Sequence, residues 1–231
     1  MKLYLAHAKD PKIRRVASSG GFIRTMIMHL LRTGLIDSAI ITQTGPKEGG
    51  FSPRKIVTSD PEELMDRRTT SVYFPTKAIK ANDNQAIVIL PCQQKLADLG
   101  TYIFELICCH LPKLTWTADL LGTPPVDWFA YRGDGWPGKV TISKNGKLTN
   151  KTPKFGPAHD GCKHCIRTHT KISDWVCADP WGLKDIGIGK TLVWAQTPRA
   201  NTLMSIPELI VEELDSKIWV NRMNKQRKRH Q

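Results

Sequence analysis

Six cysteines are the residues of this chain best suited to carry chemistry: Cys92, Cys108, Cys109, Cys162, Cys165 and Cys177. Cys162 and Cys165 form a CxxC in "GCKHC", where one turn brings both sulfurs to the same side and lets two thiolates share a metal or cluster. Such a pair needs partners. The candidates are Cys92 at the end of "QAIVILPC", Cys108 or Cys109 at the end of "YIFELICC", Cys177, and the histidines His164 and His169. Ligands collect at strand ends of an α/β sheet because loops converge there, so Cys92 and the Cys108–Cys109 pair could share a pocket. By chemistry alone, zinc on Cys162, Cys165, His169 and Cys177 ranks ahead of an iron–sulfur cluster, with unliganded cysteines as the third reading.

Two glycine-bearing stretches are the other candidates. In "ASSGGFIRTMIMHLLRTGLID", Ser18, Ser19, Gly20 and Gly21 directly precede an apolar run. Ser18 or Ser19 could cap a helix, or Gly20 and Gly21 could let an anion approach the first helical amides. In "YRGDGWPG", Arg132, Asp134 and Trp136 sit between glycines, as a hairpin rim or as a cofactor clamp.

The elements that must position these residues follow from periodicity. "LYLAHA" predicts a strand, and Phe22, Met26, Ile27, Leu30 and Leu31 predict a helix over about 21–32 that Gly34 ends. "IDSAIITQT" predicts a buried strand and "GPKEGGFSPRK" a loop, with "KDPKIRR" as a basic turn. "DPEELMDRR" has the acidic start and basic end of a short helix. "QAIVILP" and "YIFELICC" predict strands, "QQKLADLG" and "KLTWTADLLG" helices, and "KNGK" a hairpin turn. The expected fold is α/β with α+β character: an α/β sheet core in the first half, an appended antiparallel β-rich part, and a C-terminal helix from about Ile206 to Met223. The expected organisation is one body over 1–205, with an α/β part at about 1–122 and a β-rich cysteine part at about 123–205. The C-terminal helix and basic tail would occupy 206–231.

Length and charge bound the function. The 231 residues can bury a core that needs no disulfides. No window approaches the roughly 18 uninterrupted apolar residues of a membrane span, and "MKLYLAHAKDPKIRR" turns charged too early for a secretory signal. A soluble, cytoplasmic protein with reduced thiols and no membrane partner is therefore expected. The net charge of +13 suits anionic cofactors, acidic partner proteins or nucleic acid. Part of it is local: Arg222, Lys225, Arg227, Lys228 and Arg229 form a basic tail that could carry nucleic acid.

Taken in order, "ASSGGFIRTMIMHLLRTGLID", "SVYFP", "ILPCQQKLADL", "ICCHLP", "YRGDGWPG", "CKHC" and "SDWVCADPWGL" resemble the coenzyme F420 hydrogenase/dehydrogenase beta-subunit family. The resemblance runs from about Ala17 to Leu203. It implies an iron–sulfur flavoprotein oxidoreductase with a [4Fe-4S] cluster and FAD, and coenzyme F420 as a candidate further cofactor. It also implies a small-molecule substrate and, as partner, an acidic ferredoxin-type donor or a hydrogenase/dehydrogenase subunit. By the same resemblance Cys92, Cys109, Cys162 and Cys165 are the cluster ligands, which reverses the ranking in favour of zinc. Ser18, Ser19, Gly20, Gly21, Arg132, Trp136 and Asp179 become the cofactor-binding residues. No catalytic residue is assigned.

The chain also departs from the family pattern. No cysteine precedes Ala17, so an external donor is expected to replace the ferredoxin-like segment of many members. Thr70 and Val72 stand where the family has a small and a basic residue, and Cys177 where it has glycine. These departures leave an alternative of another class: a metal-stabilised nucleic-acid-binding or accessory protein that keeps the fold without redox activity.

Overall fold

The computed structural model describes residues 2–47, 50–69, 76, 79–97, 101–107, 126–130, 132–152, 160–162 and 171–218. Several sequence expectations fall outside these residues: the helix in "KLTWTADLLG", the "SVYFP" segment, Cys108, Cys109, His164, Cys165, His169 and the basic tail.

The described strands are β1 (Lys2–Ala8), β2 (Ser38–Lys47), β3 (Gly50–Thr58), β4 (Gln85–Ile89), β5 (Tyr102–Leu106), β6 (Trp128–Ala130), β7 (Val140–Lys144), β8 (Lys147–Lys151), β9 (Trp175–Ala178), β10 (Thr191–Ala195) and β11 (Leu209–Leu214). The helices are α1 (Pro11–Val16), α2 (Phe22–Arg32) and α3 (Pro198–Leu203). A mixed sheet runs in the order β11-β1-β10-β9-β5-β4-β2-β3, and β6-β7-β8 form a second, antiparallel sheet. Within the large sheet, β2, β4, β5 and β9 are parallel neighbours, while β1, β10, β11 and β3 pair antiparallel.

The parallel strands are buried on both faces, which is why they read as unbroken apolar runs. In β4, Ala86 and Val88 join the core beneath α2, and Ile87 and Ile89 join a cluster on the opposite face. In β9, Trp175 and Cys177 face α2, and Val176 and Ala178 face away. The helical stripe of α2 places Phe22, Met26, Ile27 and Leu30 against this sheet, all fully buried. Burial of such side chains contributes roughly 1.5–3 kcal/mol each. Trp175 stacks on Phe104 at 4.6 Å and meets Phe22 edge-on at 6.2 Å, which fixes the start of α2 over β5 and β9.

Four local expectations are corrected. "KDPKIRR" is not a turn but contains α1: Asp10 accepts from the Lys12 N–H at 2.7 Å and Pro11 opens the helix. "GPKEGGFSPRK" is not a loop but the distal part of a β2–β3 hairpin, in register from Ala39–Thr58 to Lys47–Gly50. Its prolines are tolerated because β3 is an edge strand and β4 pairs only with residues 38–40 of β2. "QQKLADLG" lies partly in a 3-10 turn, Pro91–Leu96, that begins before Cys92.

The C-terminal helix is also corrected, because Leu209–Leu214 forms β11 and pairs with β1 from Leu3–Leu214 to Ala8–Leu209. The open edge of β1 offers six residues of ladder that outweigh a short amphipathic pattern. The hairpin at "KNGK" is as read: Asn145 and Gly146 have φ of 49° and 71°, the geometry of a two-residue turn between β7 and β8. No helix among the described residues is long and apolar enough to cross a membrane.

Candidate functional site

The "SSGG" turn threads between the end of β1 and the start of β10. Gly20 donates its N–H to Thr191 Oγ1 at 3.1 Å, and its carbonyl accepts from the Ala8 N–H at 2.8 Å. The Ser19 and Thr191 hydroxyls are hydrogen bonded at 3.0 Å. From the other side, Arg14 of α1 donates through Nε and Nη2 to the Gly189 carbonyl, at 3.1 and 2.6 Å. A Cβ on Gly20 would lie 2.6 Å from the Ala6 oxygen and the Thr191 nitrogen, so glycine is required there by close approach.

These contacts correct the capping expectation. The N-cap of α2 is Gly21, in the left-handed region at φ 79°, with no side-chain cap. Ser19 is committed to Thr191 across the sheet, and the chain turns into α2 on Gly21 instead. The first N–H groups of a helix have no intrahelical acceptor. Gly21, Phe22 and Ile23, which open α2, line a cleft together with Ser18, Ser19 and Thr191.

The opposite wall of that cleft carries Arg132, Cys177, Ala178 and Asp179, with Leu106 at its base. The cleft is open at its mouth, and its non-protein space of about 440 Å³ includes solvent there. Arg132 is 7% exposed and its Nη2 donates to both Asp179 oxygens, at 2.7 and 2.6 Å. Its guanidinium also sits 5.4 Å from the Trp136 ring centre, and Trp136 packs on Trp181 at 4.6 Å. Burial, reinforced by the Glu105 carboxylate, pushes the Cys177 thiol up, so this wall presents a neutral thiol.

The structure thus brings together Ser18, Ser19, Gly21, Arg132 and Asp179 at one cleft. Gly20 is a packing residue behind the wall, and Trp136 reaches the site through Arg132. Sequence reading missed Thr191 and Gly189, which lock the turn from about 170 residues away. The only local signal was the glycine spacing of "GIGK".

The cysteines expected to hold a cluster are distributed differently. Cys92 is exposed on the Pro91–Leu96 turn, Cys162 is half-buried in the Asp160–Cys162 turn, and Cys109 and Cys165 lie outside the described residues. Among the described residues no three His, Cys, Asp or Glu side chains gather to hold a metal ion. For a flavin, the amphipathic lining fits: the hydroxyls of Ser18, Ser19 and Thr191 and the fixed Arg132 guanidinium are interspersed with the apolar side chains of Phe22, Ile23, Leu106 and Ala178.

The Arg132–Asp179 pair permits a direct test. Asp179→Ala leaves a buried guanidinium without its carboxylate, and breaking such a pair costs about 2–3 kcal/mol, toward the lower end for buried ions because Asp179 is 21% exposed. Urea unfolding at neutral pH should record that loss; a change below about 0.5 kcal/mol would show the pair to be dispensable to stability.

Comparison with known proteins follows the geometry. Residues 3–81 match the family model described as "Coenzyme F420 hydrogenase/dehydrogenase, beta subunit N-term". Among solved structures, a chain in the xenon-derivatized F420-reducing [NiFe] hydrogenase complex from Methanosarcina barkeri has the same fold: TM-score 0.68, 14% sequence identity, covering 100% of this chain and 89% of that one. No curated protein matches the sequence. The cleft-forming turn, Ser18–Gly21, falls inside the matched segment, so residues 3–81 are similar to the N-terminal part of the coenzyme F420 hydrogenase/dehydrogenase beta subunits.

Proposed function

We propose that the chain is an iron–sulfur flavoprotein oxidoreductase that passes electrons between a protein partner and a coenzyme or small-molecule substrate. The observation that carries this reading is the convergence of the Ser18–Gly21 turn, the start of α2 and the Arg132–Asp179 pair on one amphipathic cleft. Ser18, Ser19 and Thr191 would hold the polar groups of FAD, while Phe22, Ile23 and Leu106 would exclude water from its ring. Arg132, held rigid by Asp179 and balanced by its carboxylate, would offer a fixed hydrogen-bonding guanidinium beside the cleft without reorganisation. Cys92, Cys109, Cys162 and Cys165 would hold a [4Fe-4S] cluster. A cluster exchanges single electrons and a flavin one or two, so the bound pair would couple a one-electron donor to a two-electron acceptor.

The M. barkeri relative belongs to a hydrogenase complex, which supports a hydrogenase-type or ferredoxin-type partner and coenzyme F420 as the acceptor or donor. The net charge of +13 would speed encounter with an acidic partner.

The test is anaerobic purification with iron, sulfide and flavin quantified. Wild type should retain iron, sulfide and flavin with broad visible absorbance. Cys92→Ser should lose iron while flavin binding survives, and Arg132→Ala should weaken flavin retention while iron survives. A colourless preparation loaded with zinc would overturn the reading.

A further inference from the structure

A second cleft lies at the carboxyl ends of β4 and β5, beside the middle of β2 and between α2 and β3, with about 560 Å³ of non-protein space that includes solvent at its open mouth. It shares Ile23 and Leu106 with the cleft described above but is otherwise lined by different residues, among them Arg24, Thr42, Lys55, Thr69, Thr76 and Gln93. Carboxyl ends of parallel strands are where open α/β sheets bind ligands.

Among the described residues, the polar groups of this cleft are donors with few acceptors. Lys55, opposite Thr42 in the β2–β3 register, donates from Nζ to the Val88 carbonyl at 2.7 Å. An ammonium has three protons to donate, and no carboxylate among the described residues offsets the burial that pulls this amine down to about 8. Thr76 Oγ1 is buried with no hydrogen-bond partner among the described residues. Gln93 accepts the Leu90 N–H on its side-chain oxygen at 3.1 Å, which leaves its amide NH2 as the donating group. Arg24 is spent on the wall: its guanidinium donates to the carbonyls of Leu64, Asp66 and Thr69. The Asp66 carboxylate, whose backbone carbonyl Arg24 also engages, is held by Arg68.

We propose that this second cleft is an oxyanion subsite, in which the carboxylate or phosphate group of a small ligand is held by Lys55 Nζ, the Gln93 amide and the Thr76 hydroxyl. The ligand supplies the acceptors and the negative charge that the wall lacks, and Arg24 adds positive potential from behind. Charge-assisted hydrogen bonds of this kind are about twice as strong as neutral ones. The proposal goes beyond the redox reading, since it concerns recognition of charge at different side chains.

The experiment is calorimetric titration of the purified full chain with inorganic phosphate and, separately, with glutarate. At least one anion should bind wild type. Lys55→Met should weaken it about tenfold or more, and Lys55→Arg should retain most of the affinity. Preference for phosphate or for glutarate distinguishes the two sources of the group. Lys55→Met should remain folded, because it removes a buried charge. A second readout is thermal stability against pH. The unfolded chain binds the Lys55 proton up to its ordinary value of 10.5 while the folded chain releases it near 8. Wild-type stability should therefore gain a contribution between about pH 8 and 10.5 that Lys55→Met lacks. Failure of both anions to bind wild type, or equal binding by Lys55→Met, would overturn the subsite. Neither result depends on flavin or iron content.

Discussion

Gly189→Ala is expected to cost about 4 kcal/mol and to dismantle the cleft at the Ser18–Gly21 turn, the sum of backbone strain and overpacking. Gly189 has φ of 127°, outside the region open to side chains, and an added Cβ would sit 2.3 Å from the Ser19 carbonyl oxygen. That oxygen is backbone and cannot rotate away. Relief would push the turn off Thr191 and pull the Gly189 carbonyl off Arg14, so three contacts that hold the cleft wall fail together. Gly34→Ala is the matching control: its φ is 69°, but nothing lies within 4 Å of the added Cβ, so only the left-handed penalty of about 1–2 kcal/mol applies. Guanidinium unfolding of both variants separates strain from collision. Equal losses in the two would show that the close approach of the two loops contributes nothing.

Asp174→Ala should be comparably severe, about 3–5 kcal/mol, the range for removing one partner of a buried ion pair. The Asp174 side chain is 1% exposed and accepts four hydrogen bonds within 2.7–3.0 Å: Arg199 Nε and Nη2, the Thr197 hydroxyl and the Ile103 N–H. It thereby ties the start of β9 to β5 and to the first turn of α3. Arg199 rests on the Tyr102 ring at 4.3 Å and also donates to the Thr101 carbonyl. Alanine leaves the Ile103 amide buried without an acceptor and the guanidinium without its counter-charge. Because the Arg199 side chain is 41% exposed it can swing into water, which favours the lower half of the range. A double-mutant cycle with Arg199→Leu measures the coupling. If the double mutant loses as much as the two single losses added together, the pair does not act as a unit. The iron, sulfide and flavin content of Asp174→Ala should stay at wild-type levels in the folded fraction, since none of these groups faces the cleft.

The sequence by itself determined the elements whose apolar pattern repeats. The helical stripe Phe22, Met26, Ile27 and Leu30 became α2, and the run "AIVI", short, β-branched and stopped by a proline, became β4. The motif residues Ser18, Ser19 and Arg132 were also visible, as small, charged or turn-forming types in unusual company, and Asp179 only through the family resemblance, although nothing local said that they meet.

Tertiary structure decided the rest. Leu209–Leu214 has an amphipathic pattern compatible with a helix, and became a strand because β1 exposed an unpaired edge to it. Ser19 has a cap residue's chemistry, and gave its hydroxyl to Thr191 because β10 brought that partner within 3.0 Å. Lys55 reads in sequence as one of many basic residues, and only the closure of α2 over β2 and β3 buried it without an acid among the described residues. Local propensity is worth tenths of a kcal/mol per residue, whereas a ladder, a buried charge or a backbone collision is worth several times that. Wherever the two compete, the long-range contact fixes the outcome, and it is between residues that the sequence keeps far apart.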